Sequence, residues 1–283
     1  MTSFSDSTFN ASLYSDFRPS YPPKLYSILT DYHKGPKNLL VDQGCGPGTA
    51  SIPFTKLFAH VIGSDPSAGM IDVATKNAAA KEIKNIEFKV SAAEDLSYIN
   101  PGTADMIVAS QAAHWFQHDK WFKECAKTLR PGGTLSFFGY LDHQYMGAPQ
   151  ANKIIEEFSY GKDYLGPYWE PGRQVLRNLF RDIEVPKDIF EDIERIEYIP
   201  GKYPNDKHLI GKKMTLAANE QYVRTWSSFH NYNKQHKEVS RVQGGGGDIV
   251  DRLFDRLKKT MGWTENKVLE IQWSHIIVLA RRI

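Results

Sequence analysis

Hydrophobic positions fall into short blocks whose period changes along the chain. Two runs rich in β-formers, Leu39-Leu40-Val41 and His60-Val61-Ile62-Gly63, end at acids, Asp42 and Asp65, with a segment of helix length between them. That order reads as strand, helix, strand. The pattern then predicts a helix over 70–81, strands over 86–90 and 106–109, and a helix over 121–129. Arg130-Pro131-Gly132-Gly133 is a turn signal, and a strand over 134–140 follows. Strands that alternate with helices predict an α/β fold: a Rossmann-like, mostly parallel sheet of seven strands with helices on both faces.

The alternation breaks after about residue 142. Aromatic, proline and charged residues crowd 160–204, with helical stretches over 152–158 and 173–180. Four consecutive glycines, Gly244 to Gly247, mark a loop, and apolar runs at 269–273 and 276–279 read as strands that return to the sheet. No internal repeat is evident. The expected organisation is a single domain over 1–283: an N-terminal helical segment (1–36), a core (37–141), an inserted α-helical cap (142–240), and a C-terminal helix with returning strands (241–283).

Composition narrows the function. The 283 residues carry 35 Lys+Arg against 33 Asp+Glu, a net charge of +2, without the basic face that nucleic-acid binding needs. Mean hydropathy is −0.46, and no apolar run nears the ~18 residues of a membrane span. The N-terminus has neither a basic nor an apolar signal region, so a cytoplasmic enzyme with a small-molecule partner is expected. Cys45 and Cys125 have neither metal-ligand nor disulfide-scaffold spacing and read as buried thiols. His114 and His118 are four apart but lack an acidic or Cys ligand pattern, so no metal is expected.

The strongest chemical signal is Asp42-Gln43-Gly44-Cys45-Gly46-Pro47-Gly48, a glycine-rich turn between a predicted strand and a predicted helix. Glycines let backbone approach a ligand closely, and Asp65, at the tip of the next strand, falls where a carboxylate accepts from both hydroxyls of a ribose. The G-x-G-x-G spacing departs from the G-x-G-x-x-G of dinucleotide sites, which disfavours a nicotinamide dehydrogenase. In this turn, in Ser91-Ala92-Ala93-Glu94-Asp95, in Asp105 to Ser110 and in Leu129 to Gly133, the chain resembles the class I S-adenosylmethionine-dependent methyltransferases.

That resemblance implies S-adenosylmethionine as cofactor, with its methionine moiety near Gly44, Gly46 and Gly48 and its ribose on Asp65. The adenine would lie beside Glu94 with Ala93 or Asp95, flanked by Pro66, Ser67 and Met70. Met70 equally fits the apolar face of a helix. Segments outside the core, around Tyr14 to Pro22, His114-Trp115-Phe116, Leu165 to Arg173 and Tyr222 to Ser227, resemble the fungal trans-aconitate methyltransferases. These esterify a carboxylate of small polycarboxylic acids, and the subfamily includes members acting on other small molecules such as the terpenoid toxin cantharidin. The four-glycine run has no counterpart in that resemblance.

Under it, Tyr14 and Arg18 would cover the cofactor, Arg18 pairing with the methionine carboxylate or simply capping a carbonyl. Tyr21, His114, Trp115, Tyr168, Trp169, Arg173, Arg224 and Trp226 would form the acceptor site. His114 would position the acceptor rather than serve as a strong base. A carboxylate with pKa near ~4 is already ionised, so its methylation needs placement and desolvation more than a base. Arginine suits the substrate's other carboxylates because its planar fork binds them in bidentate fashion. Both arginines are open to a plainer role as solvated or ion-paired residues, and the aromatics to simple packing. If both arginines enter the pocket, a polycarboxylate is favoured; an aromatic cavity without cations favours an apolar, toxin-like acceptor. A nucleoside-binding protein without turnover is the distant alternative.

Overall fold

The structure, a computed structural model, describes residues 17–203 and 208–283. The described residues divide into two compact units: a sheet unit of 20–142, 172–203, 208–210 and 274–283, and a second unit of 17–19, 143–171 and 211–273. In chain order the first elements are α1 (Pro23–Tyr32), β1 (Leu39–Gln43), α2 (Ser51–Phe54), β2 (His60–Asp65), α3 (Ala68–Ala79), β3 (Ile86–Val90), β4 (Ala104–Ser110), α4 (His118–Thr128) and β5 (Leu129–Tyr145). Then come α5 (Pro149–Tyr160), α6 (Gly172–Arg177), β6 (Phe190–Tyr198), β7 (Gly211–Thr215), α7 (Leu216–Arg224), α8 (Ser227–His236), α9 (Ile249–Met261) and β8 (Val268–Arg282).

Strand order is β3-β2-β1-β4-β5-β8-β6, with β7 pairing β8 off this path. β1 lies parallel to β2 and β4, with Leu40 opposite Val61 on one side and Met106 on the other; β5 runs parallel to β4. Starting from β1, the chain builds outward to β2 and β3, then returns to β1's other side for β4 and β5. Right-handed crossovers in opposite directions put their helices on opposite faces and leave a crevice at the carboxyl ends of β1 and β4. β4 is buried along its whole length, as a central parallel strand should be. The core of the sheet unit joins Val41, Ile107 and Phe137 to Trp121 and Phe122 of α4.

Eight strands stand among the described residues where seven were expected. The two returning runs form one strand, β8, because Ser274 and His275 between them are themselves buried. β6 escaped the period-2 pattern because the β6–β8 register shifts between Glu191 and Glu194, where Asp192 takes a φ of +49°. β7 carries exposed Lys212 and Lys213, which hide a strand inside a charged stretch. Arg130 to Gly133 lies between the pairs Ala104–Leu129 and Met106–Thr134, an excursion within one strand.

The expected cap is also divided. Leu176, Leu179, Phe180 and Ile183 are buried in the same core as the parallel strands, so the segment after Pro171 belongs to the sheet unit. The second unit is built on α5, α7, α8 and α9 with β7 against the first part of β8, Gly211 opposite Gln272. A capping box at Asp248 and Asp251 starts α9, whose one face buries Val250, Leu253, Phe254 and Leu257.

Candidate active site

Three glycines with positive φ shape the turn after β1: Gly44 (+67°), Gly46 (+52°) and Gly48 (+81°). At Gly44 a Cβ would meet the Ala112 Cβ at 2.4 Å, so this glycine lets the turn abut the segment after β4. At Gly46, no heavy atom of the described residues other than its immediate chain neighbours lies within 4 Å of that position, which leaves backbone bordering open space. The Gly46 N–H donates to Asp65 Oδ2 at 3.0 Å, and the Ser67 N–H to Oδ1 at 2.9 Å. Each carboxylate oxygen keeps a further lone pair for a ligand hydroxyl. Burial raises the Asp65 carboxyl above its ordinary pKa, opposed by these two bonds.

Asp42, at the end of the β1 apolar run, is fully buried. Its Oδ2 accepts from Ser51 Oγ at 2.5 Å, while its buried Oδ1 has no partner among the described residues. Burial pushes this carboxyl up to about 7, with a further upward push from Asp65. Open backbone at Gly46, spare acceptor capacity on Asp65 and an orphan carboxyl oxygen together suit a ligand rich in hydroxyl and ammonium donors.

The segment after β3 is fastened beside this turn. Ser91 N–H donates to the Asp65 carbonyl at 3.2 Å, and the Ala93 carbonyl accepts from Gln43 Nε2 at 2.7 Å. Glu94 accepts the Gln117 N–H at 2.6 Å, tying the segment to the start of α4. Asp95, by contrast, is exposed and its carboxylate accepts from Ser97, which holds it below the usual carboxylate range. Its side chain therefore serves a local turn and not the ring of groups around Asp65. Pro66 is exposed next to Asp65, and Met70 is buried with Ile71, Ala74 and Ala78 on the inner face of α3.

After β4, the Ser110 hydroxyl donates to Tyr21 Oη at 2.6 Å, and the Tyr21 ring stands edge-on to Phe138 at 5.2 Å. His114 and Trp115 occupy a single 3₁₀ turn. The His114 ring lies 4.5 Å from Trp115 and stacks 6.1 Å from Phe180, and its buried Nδ1 has no partner among the described residues. Burial holds this imidazole neutral with a pKa of about 3, and the charges of Arg173 and His118 push the same way. At Gly172 a Cβ would come within 2.7 Å of the His114 carbonyl and the Trp115 ring, so this glycine lets α6 seat on that turn. Arg173, next in line, hydrogen-bonds Asp142. Among the described residues no cluster of His, Cys, Asp and Glu is arranged to hold a metal ion.

Six expected site residues sit in the second unit or outside the described residues. Arg224 corrects the sequence-based expectation. Its guanidinium is matched to three carboxylates, Glu220 at 2.8 Å, Asp251 at 2.9 Å and Asp248, and is itself largely buried. A cation so surrounded holds α7 to the start of α9 and has no charge left for a substrate. Trp226 is buried, its ring 5.7 Å from Trp169, whose indole N–H donates to the Ser159 carbonyl at 2.6 Å. Tyr168 bonds His236 at 2.7 Å. Trp226 is buried while Tyr168 and Trp169 are half-buried, and each of these contacts lies within their own unit. Arg18 donates to the Thr225 carbonyl at 3.0 Å and lies over the Tyr222 ring. Tyr14 lies outside the described residues. Asp42, Gln43 and Asp142 were not named as site residues, although Asp42 and Gln43 open the glycine-turn motif and Asp142 ends an apolar strand run.

Residues 40–133 match the methyltransferase domain family. Over 293 aligned residues the chain is 30% identical to the probable S-adenosylmethionine-dependent methyltransferase CRG1 of Saccharomyces cerevisiae, covering 99% of this chain and 98% of that protein. The chain belongs to the S-adenosylmethionine-dependent methyltransferases. It is also 26% identical over 310 residues to methyltransferase pgmE of Aspergillus terreus, across 94% of this chain and 91% of that one. Among solved structures, a candidate type II methyltransferase from Anaeromyxobacter dehalogenans shares the fold with a TM-score of 0.71 at 23% identity, covering 94% of this chain and 98% of that one. Phosphoethanolamine N-methyltransferase 2 of Haemonchus contortus, solved with phosphomonomethylethanolamine and S-adenosylhomocysteine, gives 0.50 at 16% identity, covering this whole chain and 60% of its own.

S-adenosylmethionine is therefore the cofactor of this methyltransferase, and the glycine turn, Asp42 and Asp65 suit it. When bound it supplies an electrophilic methyl carbon on a sulfonium. No helix among the described residues is long and apolar enough to cross a membrane.

Proposed function

We propose that this methyltransferase forms a methyl ester on a carboxylate of a small acid in the cytoplasm, with trans-aconitate the first acceptor to test. In this reading Gly44, Gly46 and Gly48 hold the methionine moiety of the cofactor, Asp65 its ribose, and Ala93 and Glu94 its adenine. The supporting observation is the His114 imidazole, kept neutral with a pKa of about 3 at the carboxyl end of β4. So weak a base gives little help in removing a proton from a hydroxyl or an amine, and efficient proton transfer needs a base matched to the working pH. An acceptor that is already ionised, as a carboxylate is, needs no such base.

One carboxylate oxygen attacks the methyl carbon in line, the carbon–sulfur bond breaks, and its electron pair stays on sulfur as a neutral thioether. No proton moves. The chain's task is to align and dry the reacting atoms. His114 with Trp115 and Phe180 supplies an aromatic wall, and Arg173 supplies a cation that exchanges Asp142 for a second carboxylate of the substrate. A more apolar acceptor is the second reading, favoured by the neutralisation of Arg224, which leaves one expected arginine in place of two.

The test is S-adenosylhomocysteine formation by the purified protein with trans-aconitate, cis-aconitate, citrate, isopropylmalate and an apolar terpenoid acid, each product identified by mass. A mono-methylated polycarboxylate supports the proposal. Turnover of the terpenoid acid alone moves the enzyme to the second reading, and cofactor binding without turnover of any acid overturns carboxyl methylation for this panel.

A further inference from the structure

Gln43 is the last residue of β1 and has no exposed surface. Its Oε1 accepts from the Trp121 indole N–H at 2.7 Å and from Cys125 Sγ at 3.4 Å, and its Nε2 donates to the Ala93 carbonyl at 2.7 Å. An indole N–H only donates and a backbone carbonyl only accepts, so the amide has one possible orientation. One side chain thus joins the strand entering the glycine turn, the helix α4 and the segment after β3. Three apolar residues precede Asp42 and Gln43 in β1, and an amide buried in such a strand costs free energy unless its hydrogen bonds are made. An aliphatic side chain here would leave the Trp121 N–H and the Ala93 carbonyl buried and unpaired.

We infer that Gln43 is a positioning residue for base selection: by fixing the Ala93 carbonyl relative to the glycine turn, it sets where the Ala93–Glu94 backbone meets the cofactor's base. This rests on the proposed placement of adenine beside Ala93 and Glu94. Glu94 fastens the other side of the same segment through Gln117, so the segment is held at two adjacent residues by groups from two different elements. Adenine offers a 6-amino donor and an N1 acceptor, whereas hypoxanthine offers a 6-oxo acceptor and an N1–H donor. A backbone edge held in register distinguishes them, and one free to shift does not.

The experiment measures binding of S-adenosylhomocysteine and of S-inosylhomocysteine by calorimetry to the full chain and to Gln43→Met, with thermal unfolding alongside. The expected result is a wild-type preference for the adenosyl ligand that falls by about tenfold in the folded variant, the equivalent of one lost hydrogen bond. A variant that keeps the wild-type preference, whatever its Tm, overturns the role of Gln43 while leaving the adenine placement intact. A wild-type protein indifferent to the base overturns that placement and the inference with it. Should Gln43→Met not fold, Gln43→Glu serves: while protonated the acid still donates to the Ala93 carbonyl, and once ionised it does not. Its base preference is expected to fall between about pH 6 and 8 while the wild-type ratio stays level, because burial raises a carboxyl pKa into that range. A level ratio in the variant overturns the inference.

Discussion

The backbone N–H of Gly46 is bonded directly to the carboxylate of Asp65 at 3.0 Å. The turn after β1 and the tip of β2 are therefore one hydrogen-bonded unit before any nucleoside arrives. Asp65→Ala is expected to weaken S-adenosylhomocysteine binding by at least about tenfold, since it frees two backbone donors and removes the ribose acceptor. Calorimetric titration of the purified variant checks this, and an unchanged Kd contradicts the ribose assignment.

Two glycines in the turn are expected to respond differently to one added methyl. Gly44→Ala combines a positive φ with a collision against Ala112, so it should lower Tm by several degrees. Gly46→Ala meets no described atom beyond its chain neighbours and bears only the left-handed backbone cost of about 1–2 kcal/mol, yet its methyl enters the open space beside Asp65. The expected result is a smaller loss of Tm and a larger loss of cofactor affinity than for Gly44→Ala, measured by thermal unfolding and titration.

Asp42 gives the protein a pH dependence of known sign. The native state keeps this proton up to about pH 7, whereas an unfolded aspartate releases it near ~4. Across that window the native state holds more protons, so the contribution to stability is complete below the unfolded pKa and is lost as pH rises through 7. Asp65, also raised, acts in the same direction. Asp42→Asn is expected to flatten the decline of unfolding free energy between about pH 4 and 7 by roughly 1 kcal/mol per unit. Denaturant titrations at several pH values measure it, and parallel curves for the two proteins would refute the shift.

Arg224 and Arg173 should separate stability from acceptor binding. Removing Arg224 leaves Asp248 and Asp251 buried without their cation, a loss of about 3–5 kcal/mol by analogy with other broken buried pairs. Arg224→Ala should therefore lower Tm markedly, with KM for the acceptor unchanged at temperatures where the protein is folded. Arg173→Ala should raise KM for an anionic acceptor while leaving the cofactor Kd within about twofold. Steady-state kinetics with trans-aconitate, beside thermal unfolding, discriminates the two roles.

The parallel half of the sheet was legible because its central strands are short apolar runs closed by a polar signal, as at Leu39 to Asp42 and Val61 to Asp65, and β3 alternates apolar and charged residues over 86–90. β6 and β7 were not, since a bulge at Asp192 and exposed lysines at 212 and 213 erase the alternation on which strand prediction depends. Within the site, the glycines and Asp65 announced themselves by spacing along the chain. Arg224 misled because an aromatic neighbourhood in sequence says nothing of its ion partners: Asp248 is 24 residues away and Asp251 27. Gln43 passed unnoticed as the variable position of a motif, although its three partners lie 50 to 82 residues further on.

β8, the last strand in chain order, lies between β5 and β6 in the sheet. During synthesis the strands of the nucleoside side can pair as soon as residues 39–145 have emerged, but β5 waits for a neighbour made more than a hundred residues later. Until residues 268–282 leave the ribosome, β5 and β6 both present unpaired backbone, the kind of edge that recruits strands from other chains. A message truncated before residue 268 would thus specify most of the cofactor site and still yield a chain prone to aggregate.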